Sequence, residues 1–299
     1  MQLLISDPQW TWREWLKSEL GGRDLVCLDV SDADHGPSGR VFLMRDGKVR
    51  AWRLVGSVHA GRNPVDLLAG AAQMVGLAGE DAVVVSFEMR QAPALRQMAL
   101  SLVESLGFSR VLVPQGSQFL HEPWLVETES VALDPTLPDS ALIAQRRARW
   151  LEMLEMCVEH ELELDHVGIE GVRLGSGQRL HGSPFDALGA HVELYGQTLL
   201  VVGDHVPDDA TASEALNLAH ASRLHLVSPH SYDNLVCSFV RGTGEDFGIG
   251  VVREIDFVER RAVVLNTAVA PAPVRTLRIG SLRIDSTGKE TGETKPWAV

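Results

Sequence analysis

Short apolar runs alternate with amphipathic stretches over the first 115 residues. Trp12, Trp15, Leu16 and Leu20 recur at the spacing of one face of an α-helix. Further helices are predicted from Asn63-Pro64 to about Leu77 and over Ala94–Leu106. The apolar runs predict strands at Leu3–Ser6, Leu25–Val30, Ala82–Phe87 and Val111–Val113, with a hairpin over Val41–Met44 and Val49–Leu54. Because strands and helices alternate, we predict a mostly parallel sheet covered by helices.

The second half begins with a long helical pattern and ends in short strands. Asp139 or Ser140 caps a helix predicted to run to about Leu162, and the next elements are strands at Val167–Leu174 and Gln197–Val202 and a helix at Ala212–Ala221. Runs rich in β-branched residues then follow at Leu235–Val240, Gly248–Ile255, Arg261–Leu265, Val274–Ile279 and Ser281–Ile284. Short strands at this spacing predict a small β-barrel or sandwich, with a domain boundary between residues 232 and 233.

Charge narrows the classes of function. The 299 residues include 27 basic and 40 acidic side chains, a net charge of −13. This acidity argues against a general coat on DNA, since affinity for phosphate backbones comes mainly from Lys and Arg. From Leu235 onward there are nine basic and eight acidic residues. The first 234 residues therefore carry a net charge of −14. No apolar run approaches the roughly 20 residues of a membrane span, and the N-terminus lacks a signal-peptide pattern. We therefore expect a cytoplasmic protein without a membrane association.

Several collinear motifs carry a resemblance to a known family. Near the C-terminus they are Asp233–Val236, Phe247–Asp256, Leu265–Val269 and Leu277–Ile284; earlier ones are Asp29–Gly39, Leu54–Gly61 and Gln145–Trp150. In order and spacing they resemble the polynucleotide (polyribonucleotide) 5′-hydroxyl kinases of the RNA-cleavage-factor and rRNA-processing type. The resemblance implies an α/β fold with a P-loop-NTPase-like, mostly parallel sheet and flanking helices over residues 1–232. A small all-β domain over residues 233–299 would follow.

The resemblance also implies roles for particular residues. Arg146, Arg147 and Arg149 match the lid arginines that lie over the phosphates. Asp29 and Asp32 match the acidic strand end, where a carboxylate holds Mg²⁺ or acts as the base. An active kinase of this kind would use ATP and Mg²⁺.

The chain departs from the family where the phosphates would bind. A P-loop needs G-x-x-x-x-G-K-[ST] between the first strand and helix, because its N–H groups wrap the phosphates and its Lys meets them. Here that stretch is Asp7–Glu14, which has no glycine, and no Lys occurs before Lys17. Only Arg13, as a cation, and Thr11, as a Mg²⁺ ligand, are substitutes. The family's threonine–x–glycine is replaced by Val85–Arg90, and Val58-His59-Ala60 stands where Ser/Thr-Pro is expected.

These observations lead to three hypotheses. The first is a catalytically silent polynucleotide-kinase-like protein that has lost the P-loop, needs no cofactor and acts by binding a protein or RNA partner. The second is an active ATP-dependent polynucleotide 5′-hydroxyl kinase with a non-standard phosphate-binding loop. The third is a metal-dependent hydrolase that uses Asp204 and His205, which follow a predicted strand.

Plainer interpretations stay open beside these hypotheses. The stretch after Asp204 is also typical of a polar turn in which Asp208 or Asp209 starts a helix. The three arginines are also typical of a solvated or salt-bridged helix face. The glycine-rich stretch Gly175–Arg179 indicates a flexible loop, and Trp12 with its neighbouring indoles indicates core packing more than a partner-binding patch.

Overall fold

The computed structural model describes residues 1–89, 92–172, 174–175, 177–268 and 273–294. Arg90, Ser176 and Val269, which belong to motifs above, lie outside these ranges. The chain divides into two compact units, Met1–Trp150 and Leu151–Val299. No helix of the described residues is long and apolar enough to cross a membrane.

A seven-stranded sheet organises the first unit. Its strands and the associated short pair are β1 (Gln2–Ser6), β2 (Trp10–Thr11), β3 (Leu25–Cys27), β4 (Arg40–Arg45), β5 (Lys48–Leu54), β6 (Val83–Glu88), β7 (Arg110–Pro114), β8 (Glu127–Val131) and β9 (Asp134–Pro135). The order is β5-β4-β3-β6-β1-β7-β8, in which β3, β6, β1, β7 and β8 are parallel and the β4–β5 hairpin is antiparallel. The predicted mostly parallel sheet is therefore confirmed.

Helices cover this sheet. They are α1 (Arg13–Glu19), α2 (Pro64–Leu77) and α3 (Pro93–Leu106); a longer helix, α4 (Asp139–Met156), follows β9. Alternation along β1 explains the layers, because successive side chains of a strand point to opposite faces. Leu3 and Ile5 join the core that contains residues of α2 and α3, whereas Leu4 packs in the core that contains Trp12 and Leu16.

Three predicted elements end or begin elsewhere. Trp10 and Thr11 precede the first helix and form β2, which pairs with β9. Strand β3 ends at Cys27, because the chain turns at Asp29, where the N–H of Asp32 donates to the Asp29 carbonyl at 3.1 Å. Helix α4 ends at Met156 rather than near Leu162, since Val158–Glu163 pairs with a later strand.

The second unit contains two further sheets. Its elements are β10 (Val158–Glu163), β11 (Gly168–Glu170), β12 (Gln178–Arg179), α5 (Phe185–Leu188), β13 (His191–Tyr195), β14 (Thr198–Val202), α6 (Asp209–Leu218), β15 (Arg223–Val227), β16 (Leu235–Val240), β17 (Asp246–Asp256), β18 (Arg261–Asn266), β19 (Thr276–Ile284) and β20 (Glu290–Glu293). One sheet has the order β10-β18-β17-β16-β19-β11, with β20 also on β19, and the other the order β12-β13-β14-β15.

The C-terminal strands share their sheet with β10 and β11, which come before residue 233. Among the described strands the order is an open path rather than a ring, so the predicted barrel is not seen. The units divide between residues 150 and 151, a different place from the predicted 232/233 boundary, and that boundary stays a prediction.

Candidate functional site

The segment from Asp7 to Trp12 joins the central strand β1 to helix α1, at the carboxyl edge of the parallel strands. Open α/β sheets bind ligands in the crevice at this edge. The segment is thus the point at which a nucleotide site would be sought.

Asp7 holds the first residues of this segment in place by hydrogen bonds. It is buried, its Oδ2 accepts a hydrogen bond from Ser117 Oγ at 2.6 Å, and its Oδ1 accepts one from the N–H of Gln9 at 3.0 Å. The N–H of Trp10 donates to the Asp7 carbonyl at 3.0 Å. Both carboxylate oxygens of Asp7 are therefore bound to the protein itself.

The rest of the segment is fixed by pairing and by burial. Trp10 pairs with Pro135 and Thr11 with Asp134 in an antiparallel ladder, which the N–H of Thr136 extends by donating to the Gln9 carbonyl at 3.0 Å. The Trp12 side chain is only 4% exposed and belongs to a core cluster. Core packing, the plainer sequence interpretation, is confirmed for Trp12.

Asp29 follows β3 and is buried. Its Oδ1 accepts from the N–H and Oγ of Ser31 at 3.0 and 2.7 Å, and its Oδ2 accepts from Ser6 Oγ at 3.4 Å. Burial raises the pKa of Asp29 to about 6; the Ser31 hydroxyl opposes the shift, while the charges of Asp32 and Glu88 add to it. A carboxylate in this setting gains or loses its proton slightly below neutral pH.

Asp32 and Asp34 are bound to neighbouring cations and amides. Asp32 Oδ2 lies 3.2 Å from His35 Nδ1, and Asp32 Oδ1 lies 3.7 Å from a terminal nitrogen of Arg13. Arg13 also forms an ion pair with Asp34, which accepts a hydrogen bond from the Gln145 amide. Arg13, the candidate phosphate cation, is therefore already paired with two carboxylates.

The predicted lid arginines take different places along α4. Arg149 Nε donates to the Ala33 carbonyl at 3.0 Å, so this arginine is bound to the turn that holds Asp32. Arg146 lines the cavity described next, and Arg147 is exposed.

A small cavity lies between these elements. Its volume is about 70 Å³, and its lining includes Thr11, Arg13, Asp29, Arg146 and Glu88. Pockets that enclose drug-sized ligands usually measure about 300–1,000 Å³. The fold thus brings most of the predicted site residues to one place, and the cavity between them is smaller than such pockets.

Sequence reasoning did not single out Ser6 and Glu88 as site residues. Both end parallel strands next to Asp29, Ser6 on β1 and Glu88 on β6. Their position at the carboxyl ends of predicted buried strands was the available signal.

Asp204 and His205 lie in the second unit. Both are exposed and line a cavity of about 420 Å³ together with Asp186, His230 and Asp256. Within the described ranges, no group of three or more His, Cys, Asp and Glu side chains is placed to hold a metal ion. Asp208 caps α6, because its carboxylate accepts from the N–H groups of Ala210 and Thr211, so the predicted helix start is confirmed.

Comparison with known proteins gives a partial sequence match and a full-length fold match. No protein-family model matches the chain. A polyribonucleotide 5′-hydroxyl-kinase of Thermococcus kodakarensis is 31% identical over 74 residues, which are 25% of this chain and 21% of the kinase. The match thus spans about a fifth of that relative's length.

Two solved structures of Clp1p with Pcf11p have the same fold. One, described as showing an extended interface and the basis of ATP loss in a point mutant, has a TM-score of 0.54 and 11% identity. The other, a wild-type complex, has a TM-score of 0.55 and 10% identity. Each match covers 94% of this chain and 74% of the other. The chain therefore has a Clp1-like fold and weak, partial similarity to a polynucleotide kinase.

Proposed function

We propose that this chain is a catalytically silent relative of the polynucleotide 5′-hydroxyl kinases and acts by binding a partner. The observation that carries the proposal is the β1–α1 segment, which lacks glycine and is closed by its own contacts. The partial match to a polyribonucleotide kinase and the Clp1-like fold support the relationship.

The hydrogen bonds of the segment argue against phosphate binding. A phosphate-binding loop works by pointing consecutive N–H groups at the ligand. Here Pro8 has no N–H, Gln9 donates to the Asp7 carboxylate, and Trp10 donates to the Asp7 carbonyl. These donors are directed at the protein, and the Asp7 carboxylate adds a negative charge where phosphate would lie.

The candidate Mg²⁺ ligands are similarly engaged. Asp29 accepts from Ser31 and Ser6, and Asp32 accepts from the N–H of His35 at 3.3 Å. The cation Arg13 is paired with Asp34 and Asp32. This donor set does not suit Mg²⁺·ATP, because binding would have to break several of these contacts within a cavity of about 70 Å³.

The partner is proposed to be a protein or RNA bound within a pathway of RNA processing. A protein partner is favoured, because both structural neighbours are complexes of Clp1p with the protein Pcf11p. The net charge of −13 is unfavourable for a polyanion such as RNA.

A phosphate-transfer assay tests the proposal. The purified chain is incubated with γ-labelled ATP, Mg²⁺ and an RNA oligonucleotide that carries a 5′-hydroxyl, beside the Thermococcus kodakarensis kinase as the positive control. We expect labelled RNA from the control and none from this chain. Transfer above the level of a heat-inactivated sample would refute catalytic silence.

The active-kinase hypothesis has one observation in its favour, since Asp29 and Arg146 line the same cavity. It predicts that Mg²⁺·ATP raises the melting temperature and that Arg146→Ala abolishes this rise. Arg147→Ala is the matched control, because Arg147 is exposed on the same helix. An unchanged melting temperature at millimolar Mg²⁺·ATP would count against this alternative.

A further inference from the structure

Another pocket lies in the second unit, lined by residues other than those around Asp204 and His205 except for Phe257. Its volume is about 320 Å³, and it is bordered by the turn after β11, the edge strand β12 and strand β13. Its apolar side is formed by Leu164, Val167, Ile169, Leu174 and Phe257. Arg179, His191, Glu193 and Arg260 supply its charged and polar groups.

The glycine-rich turn packs tightly and holds a fixed charge. Gly175 has a φ of +71°, and a Cβ there would overlap the carbonyl oxygen of Ile169, so only glycine fits. The N–H groups of Gly175 and Gly177 donate to the two oxygens of Glu193 at 2.9 and 3.2 Å.

Glu193 is buried and charged. Burial opposes its charge, but the hydrogen bond from His191 and those from the glycine N–H groups outweigh burial, so its pKa lies below its ordinary value. His191 Nε2 lies 2.7 Å from Glu193 Oε1. Both oxygens of the Glu193 carboxylate thus already accept hydrogen bonds from within the protein.

Two residues that line the pocket each have a nitrogen atom without such a partner. Among the described residues, Arg179 Nε and His191 Nδ1 are buried without a hydrogen-bond partner. Arg260, in contrast, pairs with Asp165 and donates to the Leu164 carbonyl at 2.7 Å. Burial and the nearby charge of Arg260 lower the pKa of Arg179, although the carboxylates of Asp165, Glu193 and Asp186 oppose the shift. An incoming anion would relieve the penalty at Arg179, because it supplies a counter-charge and a hydrogen-bond acceptor for the Nε–H group.

We propose that this pocket binds an organic carboxylate with a compact apolar body. The carboxylate would pair with the Arg179 guanidinium, whose planar fork matches two carboxylate oxygens. The apolar body would contact Phe257 and the aliphatic side chains beside it. A monoanion fits better than a phosphate dianion, because the fixed charge of Glu193 repels a second negative charge more strongly. The proposal is independent of the proposed function, since every residue it uses lies in the second unit.

Ligand-observed NMR and calorimetry with the full chain test this pocket. Phenylacetate is the probe, and three other compounds are its controls. Acetate lacks the apolar body, benzyl alcohol lacks the negative charge, and inorganic phosphate carries a different negative charge. We expect phenylacetate to bind more tightly than all three. Binding no tighter than that of benzyl alcohol, or absence of binding, overturns the proposal.

Substitutions test whether Arg179 binds the carboxylate of the ligand. Arg179→Gln is expected to weaken phenylacetate about tenfold or more, because a charge-assisted hydrogen bond is lost, and Arg179→Lys should restore part of the affinity. Arg223→Gln is the matched control, since Arg223 is exposed on the opposite edge strand of the same sheet and should have no effect. Equal affinity in Arg179→Gln and Arg223→Gln overturns the proposal.

A last comparison separates two sources of the carboxylate. An acetylated tripeptide that ends in phenylalanine is tested with a free and with an amidated C-terminus. Tighter binding of the free peptide than of phenylacetate assigns the pocket to a protein C-terminus, and tighter binding of phenylacetate assigns it to a small metabolite acid. A preference for the amidated peptide contradicts carboxylate recognition.

Discussion

Asp29 shows how one buried side chain links the site to stability. Its carboxylate lies next to Glu88 and Asp32 in a setting that opposes ionisation, and its pKa is about 6 against an ordinary value of 3.8. The native state therefore binds a proton more readily than the unfolded chain between these values. By linkage, this residue's contribution to stability is complete below about pH 3.8 and is lost as the pH rises through 6.

Asp29→Asn should stabilise the protein at neutral pH. Asparagine keeps an oxygen for Ser31 and removes the charge, and the shift from 3.8 to about 6 corresponds to at most about 3 kcal/mol. The gain should shrink as the pH falls toward 4, which urea unfolding at pH 4–8 measures. A gain that is the same at pH 4 and pH 7 would contradict the assigned pKa.

Asp24→Asn provides the control of opposite sign. Asp24 accepts from Arg45 at 2.8 and 2.6 Å, and this hydrogen bonding holds the pKa of Asp24 below its ordinary value. Its contribution is present above the ordinary pKa and is lost as the pH falls. The substitution should therefore destabilise the protein at neutral pH, and its effect should fade in acid.

At the scale of elements, local pattern predicted those parts whose neighbours are close in sequence. The hairpin β4–β5, the helix α2 after Asn63-Pro64 and the strand β16 all lie where turn residues and apolar periodicity indicate. The predicted end of α4 was wrong, because the sequence of Val158–Glu163 also continues the helical pattern. Its pairing with β18, about 100 residues later, decides in favour of a strand, and no local signal reveals this partner.

The candidate site likewise has some features that the sequence predicts and others that depend on contacts distant in sequence. Asp29 and Asp32 are found from the sequence because the stretch Asp29–Gly39 resembles the acidic strand end of the kinase family. The bond between Asp7 and Ser117 and the pairing of β2 with β9 join segments more than 100 residues apart. Sequence pattern could show that the loop lacks glycine, but not which contacts hold the loop in place.

Strand β17 gives a prediction at this scale. A Cβ on Gly250 would overlap the carbonyl oxygen of Leu265 on the paired strand β18. Gly250→Ala should therefore destabilise the protein by about 3 kcal/mol or more, since backbone must move to make room. Gly242→Ala is the matched control, because a Cβ there meets nothing within 4 Å. Equal unfolding free energies for the two variants, measured with urea, would contradict the described register.

Across the whole molecule, each compact unit has hydrophobic clusters of its own. Two clusters, one that contains Leu3 and one that contains Leu4, lie in the first unit, and one that contains Leu235 and Ile279 lies in the second. In the second unit a buried ion pair joins Asp246 to Arg278, whose side chain is 7% exposed. Arg278 also lies 2.5 Å from Glu170, which is nearly half exposed.

Asp246→Asn should loosen the second unit specifically. It leaves Arg278 buried with only one carboxylate, which costs about 3 kcal/mol, whereas Glu170→Gln should cost less than about 1 kcal/mol. Hydrogen exchange should show reduced protection in β16, β17 and β19 and unchanged protection in β1, β3 and β6. Equal loss in both sets of strands would contradict separate cores.

The pairing of β2 with β9 has a consequence for engineering. The backbone of Trp10 and Thr11 is tied to Asp134 and Pro135, directly before the helix that carries Arg146 and Arg149. A glycine-rich loop grafted at residues 7–12 would remove strand β2. Strand β9, which precedes α4, would then lose its pairing partner. Building a nucleotide pocket at this edge would therefore require matched changes in at least two segments, and variants changed in only one of them would be less stable.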